Sequence, residues 1–312
     1  MSRLDGELIA WLGTDGGGTT PDVATIGGKG ASLARLASLG FRVPPGFCLT
    51  TAAFRAQLDG LSARSEADIA AMLGRGPLLE APARELARAL DVLCADLASS
   101  GFAPRFAVRS SAVAEDGAAT SYAGLHETEL DVPPDGIDAA VRRCWASLWS
   151  PAAVAYRERR NLPADDAAMA VVVQALVPAD ASAVVFTCHP VTGREDQVVL
   201  TSTRGLGDAM VAGTITPDTT VVDKVTRTII EFDPGDAWEG GSAGASAGSE
   251  GGAGPVLAPD VLDELVAVSL EVEHRFGLPV DIEAAHAGGR WYLLQARPIT
   301  TGASTDAPVG AA

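Results

Sequence analysis

Four residues near the C-terminus have types and spacing suited to phosphate and metal chemistry: Asp281, Glu283, Gln295 and Arg297, in the stretch DIEAAHAGGRWYLLQARPIT from Asp281 to Thr300. Carboxylate and amide oxygens are hard ligands for Mg²⁺, and a guanidinium is a fork for phosphate oxygens. The stretch reads as a β-hairpin, with alternating small and polar residues leading in, Gly288-Gly289 as the turn, and a second strand stopped by Pro298. Side chains alternate along a strand, so Asp281 shares a face with Glu283, and Gln295 with Arg297. A two-residue loop sets Glu283 opposite Leu294 and turns Gln295 away, whereas a loop of three or five residues brings Glu283, Gln295 and Arg297 onto one face. An exposed hairpin with solvated charges accounts equally well for the same residues taken alone.

Three upstream stretches are needed if such a hairpin is to meet a polyphosphate. Ile26-Gly-Gly-Lys29-Gly30-Ala-Ser32 runs into ASLARLASLG, whose Leu33, Leu36 and Ala37 fall at helical spacing before a stop at Gly40. This places a glycine-rich loop and a lysine at a helix N-terminus, where N–H groups and the dipole favour phosphate, although it is not a Walker A loop and a plain turn fits as well. Phe106-Ala-Val-Arg109-Ser-Ser is a strand that leads into the small-residue loop Gly117 to Gly124, which includes Ser121. Arg109 can hold a phosphate bidentately under such a loop, or simply pair with Glu115 at the surface. Ala168 to Val177, AMAVVVQALV, is a near-continuous apolar run that fits a strand buried on both faces. Gln174 inside it needs a partner, either backbone or a ligand edge such as adenine.

The remaining segments read as scaffold. Helices are expected over Thr51–Leu61, Ala81–Ser99, Ile137–Arg160 and Ala258–Phe276, the third with a core-type stripe of Trp145, Leu148, Trp149 and Tyr156. Short strands and turns occupy the stretch between the apolar run and residue 239, with His189-Pro190 as a turn. Glu239–Gly254, EGGSAGASAGSEGGAG, reads as a flexible insertion.

Composition narrows the function classes. The 312 residues are 47% hydrophobic, enough for one large composite core or two modest ones, and no apolar run is long enough to span a bilayer. A soluble cytoplasmic protein is expected. The net charge of −17 argues against nucleic acid or an anionic membrane as partner. Only Lys29 and Lys224 are lysines in an arginine-dominated chain, a mild pointer to each. Cys48, Cys94, Cys144 and Cys188 form no CxxC pair, so free thiols are expected, and His126, His189, His274 and His286 do not cluster.

Taken together, GGKGASLARLASLGFRVPPGF, VRSSAVAEDGAATSYAG, CWASLWSPAAVAYR, VQALV, FTCHPVTG, GLGDAMVAGTITPD and DIEAAHAGGRWYLLQARPIT resemble the N-terminal nucleotide-binding domain of phosphoenolpyruvate synthase, pyruvate phosphate dikinase and the related rifampin phosphotransferases. The resemblance runs from about Ile26 to Thr300. It implies an α+β fold of the ATP-grasp type, two subdomains with nucleotide between them, here residues 1–173 and 174–301, followed by a flexible tail or linker stub over 302–312. It implies ATP and Mg²⁺ as cofactors. On the matching positions, Lys29 and Arg109 correspond to the phosphate-binding cations, and Glu283 and Gln295 to the Mg²⁺-proximal pair. Arg297 corresponds to the arginine that neutralises charge in transfer, and Asp281 to an acid of the same hairpin. Gln174 and the adjoining backbone at Leu176 fall at the adenine hinge, and Ser121 and Gly124 in the glycine-bearing lid. Phosphoryl transfer is mostly positioning and charge neutralisation, which such a set supplies.

The sequence departs from that pattern at Ser182-Ala183, Cys188 and Arg204, and none of its histidines stands in the phosphorylatable context of the family's swivelling domain. The chain is therefore expected to supply the ATP half-reaction, passing a phosphoryl or pyrophosphoryl group to a histidine on a partner protein or further domain, with AMP and phosphate as final products. Two rivals stand beside it: an ATP-grasp ligase or kinase acting directly on a small molecule with ADP release, and a non-catalytic nucleotide-binding module.

Overall fold

A computed structural model describes residues 8–13, 21–61, 65–100, 103–113, 116–117, 120–121, 128–160, 168–235 and 254–299. Its contacts group the chain into two compact units: Met1–Ala179 with Ala285–Gln295, and Asp180–Ala284 with Ala296–Ala312. The sequence-expected tail, the glycine-serine insertion up to Ala253, Gly124 and His126 lie outside the described residues.

The first unit is built on a sheet of order β1-β2-β7-β3-β6, formed by Ile9–Trp11 (β1), Gly46–Leu49 (β2), Met169–Ala175 (β7), Phe106–Ala112 (β3) and Thr128–Val132 (β6). Every pairing in it is antiparallel. β7 is central and buried throughout. Its alternate residues go to opposite sides: Val171 and Val173 join Phe47, Leu49, Phe106 and Val108 in the larger core, while Val172 joins Ile26, Leu33 and Cys48 in the smaller one. Cover on both faces is the reason the strand is an apolar run rather than an alternation.

The smaller core is covered by Val23–Ser38 (α1), which begins at Asp22, whose side chain accepts from the Thr25 N–H at 2.9 Å, and ends with Gly40 in the left-handed conformation, φ +85°. The larger core receives Thr51–Asp59 (α2), Glu66–Arg75 (α3), Glu80–Ser100 (α4) and Ile137–Ala146 (α5). α3 was not expected from the sequence. The single long helix expected over 137–160 is instead α5, a 3-10 turn at Ser147–Trp149 and a separate Pro151–Arg160 (α6), because a proline is tolerated at a helix start and not in its interior. Trp145 and Trp149 lie against Phe54 with ring centroids 5.8 and 5.9 Å away, so Trp145, Leu148 and Trp149 of the expected stripe are core, while Tyr156 is half-buried outside that cluster. Two two-residue strands, Asp116–Gly117 (β4) and Thr120–Ser121 (β5), pair with each other.

The second sheet has the order β11-β10-β9-β8-β12-β13. Its strands are Ala181–Phe186 (β8), Gln197–Arg204 (β9), Asp218–Asp223 (β10), Ile229–Asp233 (β11), Val280–Ala287 (β12) and Arg290–Pro298 (β13). A short helix, Asp208–Val211 (α7), and Pro259–Phe276 (α8) complete it, α8 burying Leu262, Leu265, Val266, Ser269 and Val272. Asp218 at the start of β10 accepts from the Gly235 N–H with Oδ1 (2.8 Å) and from the Val256 N–H with Oδ2 (2.7 Å). Lys224 is taken up structurally: its Nζ donates to both carboxylate oxygens of Glu273 on α8, at 2.7 and 2.9 Å. His189 Nδ1 accepts from the Val191 and Thr192 N–H groups, the turn role expected of it. The Ser182 hydroxyl, one of the departures from the family pattern, donates to the Gly205 carbonyl at 2.7 Å.

Candidate functional site

The glycine-rich loop is part of α1 and interrupts it. Gly27 sits at φ +69°, ψ 176°, outside helical geometry, so the residues from Gly28 onward start a fresh helical segment with Lys29 in its first turn. A Cβ at Gly27 would lie 2.0 Å from the Ser111 carbonyl oxygen, which is why the position needs glycine twice over. Gly30 is tight as well, its missing Cβ lying 2.9 Å from Cys48 Sγ, and this lets α1 settle onto β2. Lys29 is half-buried.

Arg109 lies on β3 opposite Val172 of β7. Phe106 and Val108 point into the larger core, so by alternation Ala107, Arg109 and Ser111 point to the α1 side. The Arg109 side chain is only 9% exposed, which removes the surface-pair reading. Its Nη1 donates to the Leu294 carbonyl at 2.8 Å and its Nη2 to Gln295 Oε1 at 3.1 Å. A guanidinium and an amide oxygen, 186 residues apart in sequence, are therefore in direct contact within the first unit. The hairpin segment that carries Gln295 is fixed there by the Leu293 N–H, which donates to the Arg42 carbonyl at 2.9 Å, and by Tyr292 under the Arg42 guanidinium.

Gln174 pairs through its backbone with Gly46 and Ala107, and its Nε2 donates to the Pro44 carbonyl at 3.0 Å. Of the two partners open to this amide, backbone is the one observed, and it locks the VPPGF segment beside β7. The Leu176 N–H donates to the Arg105 carbonyl at 2.8 Å. Ser121 belongs to β5, and Gly124 lies outside the described residues.

The second unit holds Asp281, Glu283 and Arg297. Arg297 donates to Asp281 Oδ2 from both Nε and Nη2 at 2.7 Å. Burial pushes the Asp281 carboxyl above its usual range; Arg297 pulls it back, and Glu283 adds to the rise. The hairpin turn has two residues, Gly288 and Gly289, both at positive φ as a type I′ turn requires. Near the turn, the His286 and Trp291 rings meet tilted at 59° with centroids 5.1 Å apart, as a two-residue loop dictates. A two-residue loop is the case in which Glu283 falls opposite Leu294 and Gln295 turns away. At the base of the hairpin the side-chain partner of Asp281 is Arg297.

Among the described residues no three or more His, Cys, Asp or Glu side chains gather to hold a metal by themselves. The donor set still suits Mg²⁺, which is commonly held by one or two protein oxygens and completed by substrate phosphates and water, and Glu283 and Gln295 provide a carboxylate and an amide oxygen of that kind.

The family described as "Pyruvate phosphate dikinase, AMP/ATP-binding domain" matches residues 23–309. The chain belongs to this family. Curated relatives of the pyruvate phosphate dikinase nucleotide-binding domain include a probable phosphoenolpyruvate synthase of Archaeoglobus fulgidus, 34% identical over 90% of this chain and 40% of its own length. A rifampicin phosphotransferase of Streptomyces sviceus is 37% identical over 89% of this chain and 34% of its own length. The phosphoenolpyruvate synthase of Pyrococcus furiosus is 30% identical over 90% and 42%. The chain thus spans well under half of these dikinase-domain relatives.

Sequence reasoning missed one residue at the site, Ser111. Its Oγ accepts from the Gly30 N–H at 3.0 Å and donates to the Ile26 carbonyl at 2.8 Å, so it grips the glycine-rich loop from β3. The signal was available: two residues after Arg109 on a strand means the same face.

Proposed function

We propose that this chain is the ATP-binding, phosphoryl-donating part of a dikinase-type phosphotransferase of the ATP-grasp kind, cytoplasmic, with MgATP as the donor. The observation that carries the reading is the contact of the Arg109 guanidinium with Gln295 Oε1, which joins two residues of the proposed set inside a chain of this family. Lys29 at a helix start and Arg109 on β3 bind the phosphate oxygens; Glu283 and Gln295 hold Mg²⁺, which neutralises phosphate charge. Arg297 compensates charge that develops in transfer, and Asp281 orients it through the Oδ2 bridge. The adenine lies at the hinge by Leu176, read by backbone groups, with Gln174 supporting the hinge through Pro44. Ser121 and Gly124 belong to the lid.

The acceptor is a histidine on a further domain or partner chain, which receives a phosphoryl or pyrophosphoryl group; AMP and phosphate are the final nucleotide products. Support for an acceptor outside this sequence comes from its relatives, of which it spans 40% and 34% in the two first described. The deciding measurement is the nucleotide product profile of the purified chain with MgATP, alone and with a histidine-domain protein. AMP together with a phosphorylated partner histidine is the expected result, and ADP released without any partner would overturn the reading.

A further inference from the structure

We infer that Ser111 is a positioning residue for Lys29, acting as a helix cap supplied from another strand; the inference rests on the reading of Lys29 as a phosphate ligand. A helix start leaves its first N–H groups without helical partners, and a Ser, Thr, Asp or Asn at the cap position ordinarily accepts from the third amide of the first turn. After the break at Gly27 that cap position is itself a glycine, without a side chain, and the third amide is that of Gly30. The Gly30 N–H donates instead to Ser111 Oγ on β3, at 3.0 Å. The hydroxyl proton is used as well, toward the Ile26 carbonyl on the other side of the break, at 2.8 Å. One fully buried hydroxyl therefore ties both ends of the interruption to the strand.

Two features show that this is a fitted joint. Gly27 leaves room for the Ser111 carbonyl where any Cβ would stand at 2.0 Å, so loop and strand are interlocked at backbone level. Ser111 is also two residues from Arg109 on the same face of the same strand, so the residue that fixes the loop carrying Lys29 is held in register with the second cation. Without the hydroxyl the Gly30 amide loses its acceptor and the first turn frays, which leaves Lys29 tethered but no longer aimed. Sequence spacing alone could not have joined these residues, since 81 positions separate Gly30 from Ser111.

The test is a double-mutant cycle read by calorimetric titration of MgATP into the full chain, using Ser111→Ala, Lys29→Ala and the pair. Ser111→Ala is expected to weaken binding about tenfold in the parent. In the Lys29→Ala background the same change should cost less than about twofold, because the group it positions is gone. Thermal unfolding should fall by the same amount in both backgrounds, which separates positioning from general loosening. Hydrogen exchange at the Gly30 amide should quicken in Ser111→Ala. If Ser111→Ala does not fold, Ser111→Cys keeps the volume with a poor acceptor and is read in the same way. Equal losses of affinity in both backgrounds overturn this proposal while leaving Lys29 as a phosphate ligand. Unchanged affinity in Lys29→Ala removes the reading of Lys29, and this proposal with it.

Discussion

The supports of the candidate residues differ between the two units. In the first unit the hydrogen bonds described above are to neutral groups: a serine hydroxyl at Gly30, and a backbone carbonyl and an amide oxygen at Arg109, beside a glycine whose φ no other residue tolerates well. In the second unit ion pairs stand out: Arg297 with Asp281 at the hairpin base and, away from the candidate residues, Lys224 with Glu273 of α8. Neutral hydrogen bonds in a dry interior are insensitive to salt and to pH near neutrality, whereas ion pairs at partly exposed positions respond to both.

This contrast can be broken by substitution. The largest effect is expected from Gly27→Val, which forces a branched side chain into positive φ against the Ser111 backbone; a loss on the order of 3 kcal/mol, unchanged by salt, should appear in urea unfolding. Gln174→Met keeps the shape but strands the Pro44 carbonyl, and about 2 kcal/mol should be lost, again at any salt concentration. Lys224→Met leaves Glu273 without its amine in a pocket where both side chains are mostly covered. A loss of about 1.5 kcal/mol is expected in dilute buffer and a smaller one in concentrated salt. A salt-independent deficit in that variant would erase the distinction between the units.

The smallest effect carries a pH signature. Because the Asp281 carboxyl is raised in the folded state, the folded protein holds its proton at pH values where the unfolded chain has released it. In that window, above the ordinary carboxylate value, stability falls as pH rises. Arg297→Ala removes the pull that limits the rise. The deficit of the variant should therefore grow as pH rises above the ordinary carboxylate value, reaching about 1 kcal/mol, since Arg297 is half-exposed. Denaturation curves across that range read it directly, and a deficit that shrinks with pH would mean that the bridge does not set the Asp281 proton.

Much of this was legible in the residues. The apolar run around Val171–Val173 announced a strand covered on both faces, and Gly40 announced the end of α1, because burial and backbone freedom leave compositional marks. The residue types at Lys29, Arg109, Glu283 and Gln295 were also readable, together with the family they match. What was hidden depends on pairings set by the whole fold. The contact of Arg109 with Gln295 joins residues 186 positions apart and leaves no local signature in either stretch. Helix α3 was overlooked because its small residues, Ala70, Ala71 and Gly74, weaken the helical stripe, and the break between α5 and α6 because the apolar period continues across Pro151. Gln174 shows the limit most plainly: its type demands a partner, and only the fold decides that Pro44 provides it.

The Asp218 carboxylate has a bearing on how this chain can be edited. Its two oxygens hold the amides of Gly235 and Val256, so two separate stretches of chain are pinned at a single side chain on β10. Exchange for asparagine keeps the shape but leaves one oxygen where two are used, so one of the two amides would face an N–H group and lose its acceptor.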